Sequence, residues 1–304
     1  MDIGELRKAP HLSASSVAGY LECGLAYRFG KVDGLVPEFT PDVLVFGSAV
    51  HEVLAEYYRS LAQGVRLSGE HLKESFEKHW SERAAEKDFI RYKEGTDYRS
   101  YMAQGKEMLA VFAAQVPVEN CEVLAVEEPF SMDLEGLPVP LIGIYDLVIE
   151  DSSGVITIVD HKTSAKSYST AQVDQNFQMT VYQAAAKGNG FAEREILLRL
   201  DCLIKTKTPK FEQYYTVRSQ EEEQGALRRV LAAWEGISKG ASTYLPIRAP
   251  GVALAAFTRM HAGNGCGGSC HEPGGYCGPA AMPDHLQTGT APTDRAGGKV
   301  DPAT

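Results

Sequence analysis

Two short runs bring together residue types that could hold a metal ion and activate water. Gly143-Ile144-Tyr145-Asp146 is followed, after a turn, by Ile158-Val159-Asp160-His161-Lys162-Thr163. On a β-strand, residues two apart share a face, so Asp160 and Lys162 project together while His161 points away and offers the site only its backbone carbonyl. The turn between the runs is short enough to bring Asp146 beside Asp160 on a neighbouring strand. Two carboxylates and a carbonyl make a hard oxygen site suited to Mg²⁺ or Mn²⁺. The Lys162 ammonium could there orient an attacking water or neutralise charge on a phosphate. Each piece also has a plainer reading. Asp-x-Lys at a strand end is often a surface ion pair, a helical His51 is often a packed residue, and Gln178 with Tyr182 four residues on is often a packing pair.

The elements that must position these groups can be read from hydrophobic period. A helix is predicted from Ser13 to Phe29 through Val17, Tyr20, Leu21 and Leu25, with Ser13 as its cap and Cys23 on or near it. A stronger one runs from about Phe46 to Ala62, carrying His51 after Phe46-Gly47-Ser48-Ala49-Val50, and two more polar helices are predicted near 69–89 and 97–116. At Cys121 the period changes. Residues 123–130, 138–150 and 155–163 read as consecutive antiparallel strands, with Asp151-Ser152-Ser153-Gly154 as a turn between the last two. A helix follows over 170–187, then strands over 196–204 and 213–217 joined by a Lys-rich turn, then a helix from the capping box Ser219–Glu222 to about Ile237. The isolated Cys121 and Cys202 read as small apolar strand residues.

The order of these motifs resembles a known family. Leu12-Ser13-Ala14-Ser15, Tyr20 and Cys23, then Phe46 to His51, Gly143-x-x-Asp146, Asp160-x-Lys162-Thr163 and Gln178-x-x-x-Tyr182 are similar to the ordered motifs of RecB-like nucleases in the PD-(D/E)XK superfamily, over roughly residues 12–277. The resemblance implies a restriction-endonuclease-like α/β fold: a mixed sheet flanked by helices, with an N-terminal helical region and a C-terminal cysteine clasp. It further implies that His51, Asp146 and Asp160 hold Mg²⁺ or Mn²⁺ with the His161 carbonyl, that Asp146, Asp160 and Lys162 carry metal-assisted hydrolysis of DNA phosphodiesters, and that Gln178 and Tyr182 contact DNA or support the site. Exonuclease action on DNA ends or single strands follows from the resemblance alone. In iron–sulfur members one Cys precedes the core and three follow it, and Cys23 with Cys266, Cys270 and Cys277 fits that arrangement as ligands of a [4Fe–4S] cluster. The trio is spaced Cys-x3-Cys-x6-Cys, one residue longer in each gap than the family's usual Cys-x2-Cys-x5-Cys, so Zn²⁺ is an alternative occupant, with His261 or His271 able to replace a thiolate.

Domain expectations follow: residues 1–120 as the helical region with Cys23 and His51, 121–248 as the nuclease core, 249–279 as the cysteine clasp and 280–304 as a disordered tail. From about Ala249 the chain turns Gly-, Ala- and Pro-rich, a composition that cannot bury enough apolar surface without a staple. Thirty Lys and Arg against forty Asp and Glu give a net charge of −10, so a protein-wide attraction for polyanions is excluded and DNA must meet a local patch. The turn Lys205-Thr206-Lys207-Thr208-Pro209-Lys210 is the best candidate, with Lys205 and Lys207 on phosphates. Neither a secretory leader nor about 18 consecutive apolar residues is present, which points to a cytoplasmic protein without membrane contact. No GxxxxGK[ST] run occurs, so ATP-driven unwinding would need a helicase partner, and a CRISPR or recombination partner fits equally. The competing reading is a non-catalytic DNA-end binding or adaptor subunit with a structural metal clasp.

Overall fold

The computed structural model describes residues 2–117 and 121–240. Ser13 caps the first long helix, α1 (Ala14–Glu22), in a capping box with Ser16. The helix stops at Cys23, whose backbone is extended at φ −157°, and one further turn follows at Gly24–Tyr27. The single helix predicted to Phe29 is therefore broken at Cys23. Helix α2 (Asp42–Ala62) begins four residues before the predicted Phe46. Its extra turn is fixed by tertiary contacts: the buried Asp42 carboxylate accepts from the Lys93 N–H (2.7 Å) and the Tyr101 hydroxyl (2.8 Å). Two helices follow as predicted in kind, α3 (Gly69–Ala85) and α4 (Tyr98–Gln115). Phe46, Tyr57, Phe76, Trp80, Tyr101 and Phe112 pack the three together.

The strands are β1 (Cys121–Met132), β2 (Leu141–Asp151), β3 (Ile156–Ser164), β4 (Ile196–Ile204) and β5 (Lys210–Thr216), hydrogen-bonded in that order as one five-stranded sheet. The first three are antiparallel as predicted, β3 and β4 are parallel, and β4 and β5 are antiparallel. A parallel pair needs a crossover. Thr170–Asp174 and α5 (Phe177–Ala186) supply it, and the helix predicted over 170–187 is interrupted where the Asn176 side chain accepts from the Met179 N–H to cap α5. The capping box at Ser219 and Glu222 opens α6 (Gln220–Ser238).

Alternate strand residues enter two different cores, which explains the near-continuous apolar runs. Val148, Ile156, Ile158, Leu198, Leu200 and Cys202 pack beneath α1, α5 and α6, while Leu147, Ile149, Val159 and Leu203 pack beneath α2, α3 and α4. The fold is the α/β class expected, a mixed sheet flanked by helices. Cys202 is fully buried, whereas Cys121 at the head of β1 is only half-buried. Cys266, Cys270, Cys277, His261 and His271, with the predicted clasp and tail, lie outside the described residues. None of the described helices is long and apolar enough to cross a membrane.

Gly105 sets the spacing of α3 and α4, because a Cβ there would lie 2.1 Å from the Phe76 ring. Replacing a mid-helix Gly by Ala ordinarily gains about 1 kcal/mol. Here overpacking reverses the sign, and Gly105→Ala is expected to lose about 1–3 kcal/mol in urea unfolding. Gly19→Ala, with no neighbour within 4 Å of the added methyl, is expected to be neutral or stabilising.

Candidate active site

Strand pairing between β2 and β3 runs from Glu150 opposite Ile156 to Leu147 opposite Val159 and stops there. Beyond that point the Asp146 side chain takes over the ladder's work, its Oδ2 accepting from the His161 N–H at 2.8 Å. The two strands diverge at the residues the motifs single out. Asp160 and Lys162 lie on the face covered by α5, whereas His161 turns to the opposite face and stacks on Tyr58 of α2 with ring centroids 5.4 Å apart. This is the division of faces expected from strand period.

Around Asp160 the polar groups are closely matched. Lys162 Nζ sits 2.7 Å from Asp160 Oδ2 and donates to Gln178 Oε1 at 3.1 Å. Gln178 Nε2 in turn donates to Asp160 Oδ1 (3.1 Å) and the Tyr182 hydroxyl (2.7 Å). Gln178 thus holds the carboxylate and the ammonium in one arrangement, from a helix that crosses directly behind β3.

His51 reaches the site from α2. Its Nδ1 lies 3.6 Å from Asp146 Oδ2 and 3.7 Å from Glu127 Oε1. One turn earlier on α2, Gly47 faces Thr163 of β3: a Cβ there would lie 3.8 Å from Thr163 Oγ1, an ordinary contact. One ligand atom each from His51, Glu127 and Asp146 fall within 4.8 Å of one another.

Glu127 is not singled out by the motif spacing. It lies between the ladder pairs Val126–Leu147 and Glu128–Tyr145, opposite Asp146, and has a left-handed φ of 50°. For a non-glycine residue within a strand that conformation is strained and points to a site that fixes it. Across it the apolar residues change faces: Val126 packs towards α2–α4 but Phe130 towards α5, and on β2 Leu147 and Tyr145 divide likewise. A regular alternation cannot show this switch. The one available signal was a carboxylate in the interior of the strand that pairs with Asp146. Gly143 of the motif has a separate reason: the Phe130 ring covers it so closely that a Cβ would meet the ring at 2.4 Å.

Convergent carboxylates perturb one another. Burial first, then the charge of Asp160, pushes the Asp146 carboxyl up to about 7. Burial works against a charged imidazole at His51, but its pairing with Glu127 and the charges of Asp146, Glu127 and Asp160 outweigh burial and raise its pKa. Burial likewise opposes the Lys162 ammonium, and the pairing with Asp160 overcomes it, so this side chain stays charged at neutral pH.

The remaining sequence candidates lie elsewhere. Lys205 folds inward, its ammonium 4.8 Å above the Phe46 ring, while Lys207 is exposed on the turn. Cys23 is half-buried and accepts from the Ala26 N–H at 3.4 Å.

Residues 11–270 match the profile of the family described as the PD-(D/E)XK nuclease superfamily. The chain belongs to that superfamily. No curated protein matches it. Among solved structures it is similar to a "Putative exonuclease" from Eubacterium rectale, at 15% identity and a TM-score of 0.49, with 76% of this chain and 82% of that one covered. It is also similar to a protein named SSO0001, at 13% identity and a TM-score of 0.30, with 71% and 84% covered.

PD-(D/E)XK nucleases use divalent metals, and the donor set here fits one: an imidazole and clustered carboxylates suit Mg²⁺ or Mn²⁺. Asp160 Oδ2 is buried, and the Lys162 ammonium 2.7 Å away pairs with it.

Asp146 binds its proton more tightly in the fold than in the unfolded chain, where its pKa is near 3.8, so the metal-free protein loses stability as pH rises from about 4 to about 7. Asp146→Asn is expected to remove that loss and raise stability at about pH 8 by roughly 1–3 kcal/mol. Thermal melts with and without Mn²⁺ check this: the cation should raise the Tm of the parent and leave that of the variant unmoved.

Proposed function

We propose that this chain is a divalent-metal-dependent deoxyribonuclease of the RecB-like type, acting as an exonuclease on DNA ends or single strands. The observation that carries the reading is the convergence of His51, Glu127 and Asp146 beside the Asp160–Lys162 pair. His51, Glu127, Asp146 and Asp160, with the His161 carbonyl, would hold Mg²⁺ or Mn²⁺. A divalent cation held there neutralises charge on the scissile phosphate and makes an attacking water more acidic.

The chain's own residues set the geometry. Lys162, fixed between Asp160 and Gln178, presents a permanent positive charge to the reacting phosphate and can orient the water, but it is not a base, because Asp160 keeps it protonated. The raised Asp146 carboxyl can surrender its proton near neutral pH when a cation takes its place. Gln178 prevents Asp160 and Lys162 from rotating out of register, and Tyr182 anchors Gln178 from the next turn of α5.

End-labelled single- and double-stranded DNA incubated with the purified protein and Mn²⁺ tests the activity. Cleavage is expected in Mn²⁺ and not in EDTA, with Lys162→Ala slower by roughly 10²–10³-fold or more. An unchanged rate in that variant would remove Lys162 from the mechanism, and DNA retained without cleavage would favour an adaptor.

The cysteine reading belongs to the same proposal. Cys23, at a helix break and outside any disulfide, would join Cys266, Cys270 and Cys277 around a [4Fe–4S] cluster. Protein purified without oxygen is expected to be brown, with about four iron atoms per chain. Zinc in colourless protein would replace the cluster by the alternative metal.

A further inference from the structure

Two troughs meet at the candidate cation centre. One, of about 1090 Å³, follows α2 past Gly47, His51, Arg59 and Lys78. The other, of about 570 Å³, passes Ser13, Lys31, Asp146, Gln178 and Tyr182. Both are lined by Arg7, Glu127 and Ile144, so the centre sits where they adjoin.

Their charges are unevenly matched. Away from the centre, the acidic residues on the larger trough are already answered within the protein: Glu52 pairs with Arg83 and with His79 (3.0 Å), and Glu56 with Ser75 and with His71 (2.9 Å). Arg7, Lys31, Arg59 and Lys78 are exposed and have no ion pair among the described residues. Elsewhere this acidic chain pairs many of its cations, as with Lys8, Lys73, Lys106, Lys187 and Arg194. Four unanswered cations therefore border the two troughs. The larger trough also exposes Val43 (48%) and Leu44 (62%), aliphatic surface against which the face of an unpaired base can pack.

We propose that the joined troughs form one path for a single strand of DNA, its phosphates gripped by Arg59 and Lys78 on one side of the centre, by Lys31 on the other and by Arg7 at the crossing. This rests on the nuclease reading above and adds where the strand lies. The exposed turn around Lys207 lines neither trough and takes no part.

Fluorescence anisotropy of the full chain with an oligothymidylate of about twenty nucleotides, in Ca²⁺ over a salt series, tests the path. Each phosphate contact on a single strand contributes about 0.7 to the slope of log affinity against log salt. The double variant Arg59→Ala/Lys78→Ala is expected to lower the slope by about 1.4 and Lys31→Ala by about 0.7, with melting temperatures unchanged. Lys207→Ala is expected to match the parent. A double variant that binds with the parent's slope overturns the path, as does a Lys207→Ala variant that lowers it equally. A hairpin duplex bound more tightly than the oligothymidylate overturns the choice of a single strand. Mn²⁺-dependent cleavage by the parent, run in parallel, separates the two readings: a parent that cuts while the double variant binds normally refutes the path alone, and a parent that neither binds nor cuts refutes both.

Discussion

Glu127, Asp146 and Asp160 approach one another in a largely buried place, and the groups that meet them there are the Lys162 ammonium, the His51 imidazole, the Gln178 amide and the His161 backbone N–H. Like charges so placed repel, and burial removes the water that would screen them. Burial first, and then the charge of Asp160, push the Asp146 carboxyl up to about 7. Most of the irregular features of the fold serve to impose this crowding. The β2–β3 ladder stops one residue before Asp146, and β1 takes up a left-handed residue opposite it. Helix α2 is anchored at its far end by Asp42, so His51 is delivered from a fixed direction.

The sheet can sustain such a site because it is buried on both faces. Strands that alternate between two cores leave little freedom of register, since a slip by one residue would exchange the two sets of apolar side chains. Asp160 and Lys162 inherit this constraint from Ile158 and Val159 just before them, and the parallel partner β4 fixes the other edge. The crossover between those parallel strands also delivers Gln178. A single topological requirement therefore places the carboxylate, the ammonium and the amide that bridges them.

Much of this was legible in the residues. Strand period separates Asp160 and Lys162 from His161, and the short turn at 151–154 places Asp146 on the adjoining strand, because each inference depends only on local geometry. The motif order is enough to associate His51, Gln178 and Tyr182 with the same neighbourhood. Glu127 was hidden for a physical reason: its position depends on a φ of 50° and on strands that change faces, and neither leaves a mark in hydrophobic alternation. The breaks at Cys23 and Asn176 were hidden in another way, since each lies inside a run whose apolar spacing continues across the interruption. Lys205 illustrates the reverse error of scale. A Lys-rich turn looks uniformly solvated, yet Lys205 is long enough to lie over Phe46, where burial lowers its pKa and Asp42 only partly compensates.

A protein selected for stability alone would not keep this centre. Replacing one buried carboxylate by an amide would relieve repulsion without disturbing the Asp146 contact to the His161 N–H, because an amide oxygen accepts equally well. The strain at Glu127 adds to the cost, and the fold offsets it with aromatic packing beneath α2–α4 and aliphatic packing beneath α1, α5 and α6. Such costs are retained where they serve function. What distinguishes this cluster from an ordinary buried ion pair is its excess of negative charge: Lys162 answers Asp160, but Glu127 and Asp146 share only His51. A proton on Asp146 or an added cation restores the balance of a site with more buried carboxylates than cations, and ligand atoms of His51, Glu127 and Asp146 lie close enough together to hold a metal ion.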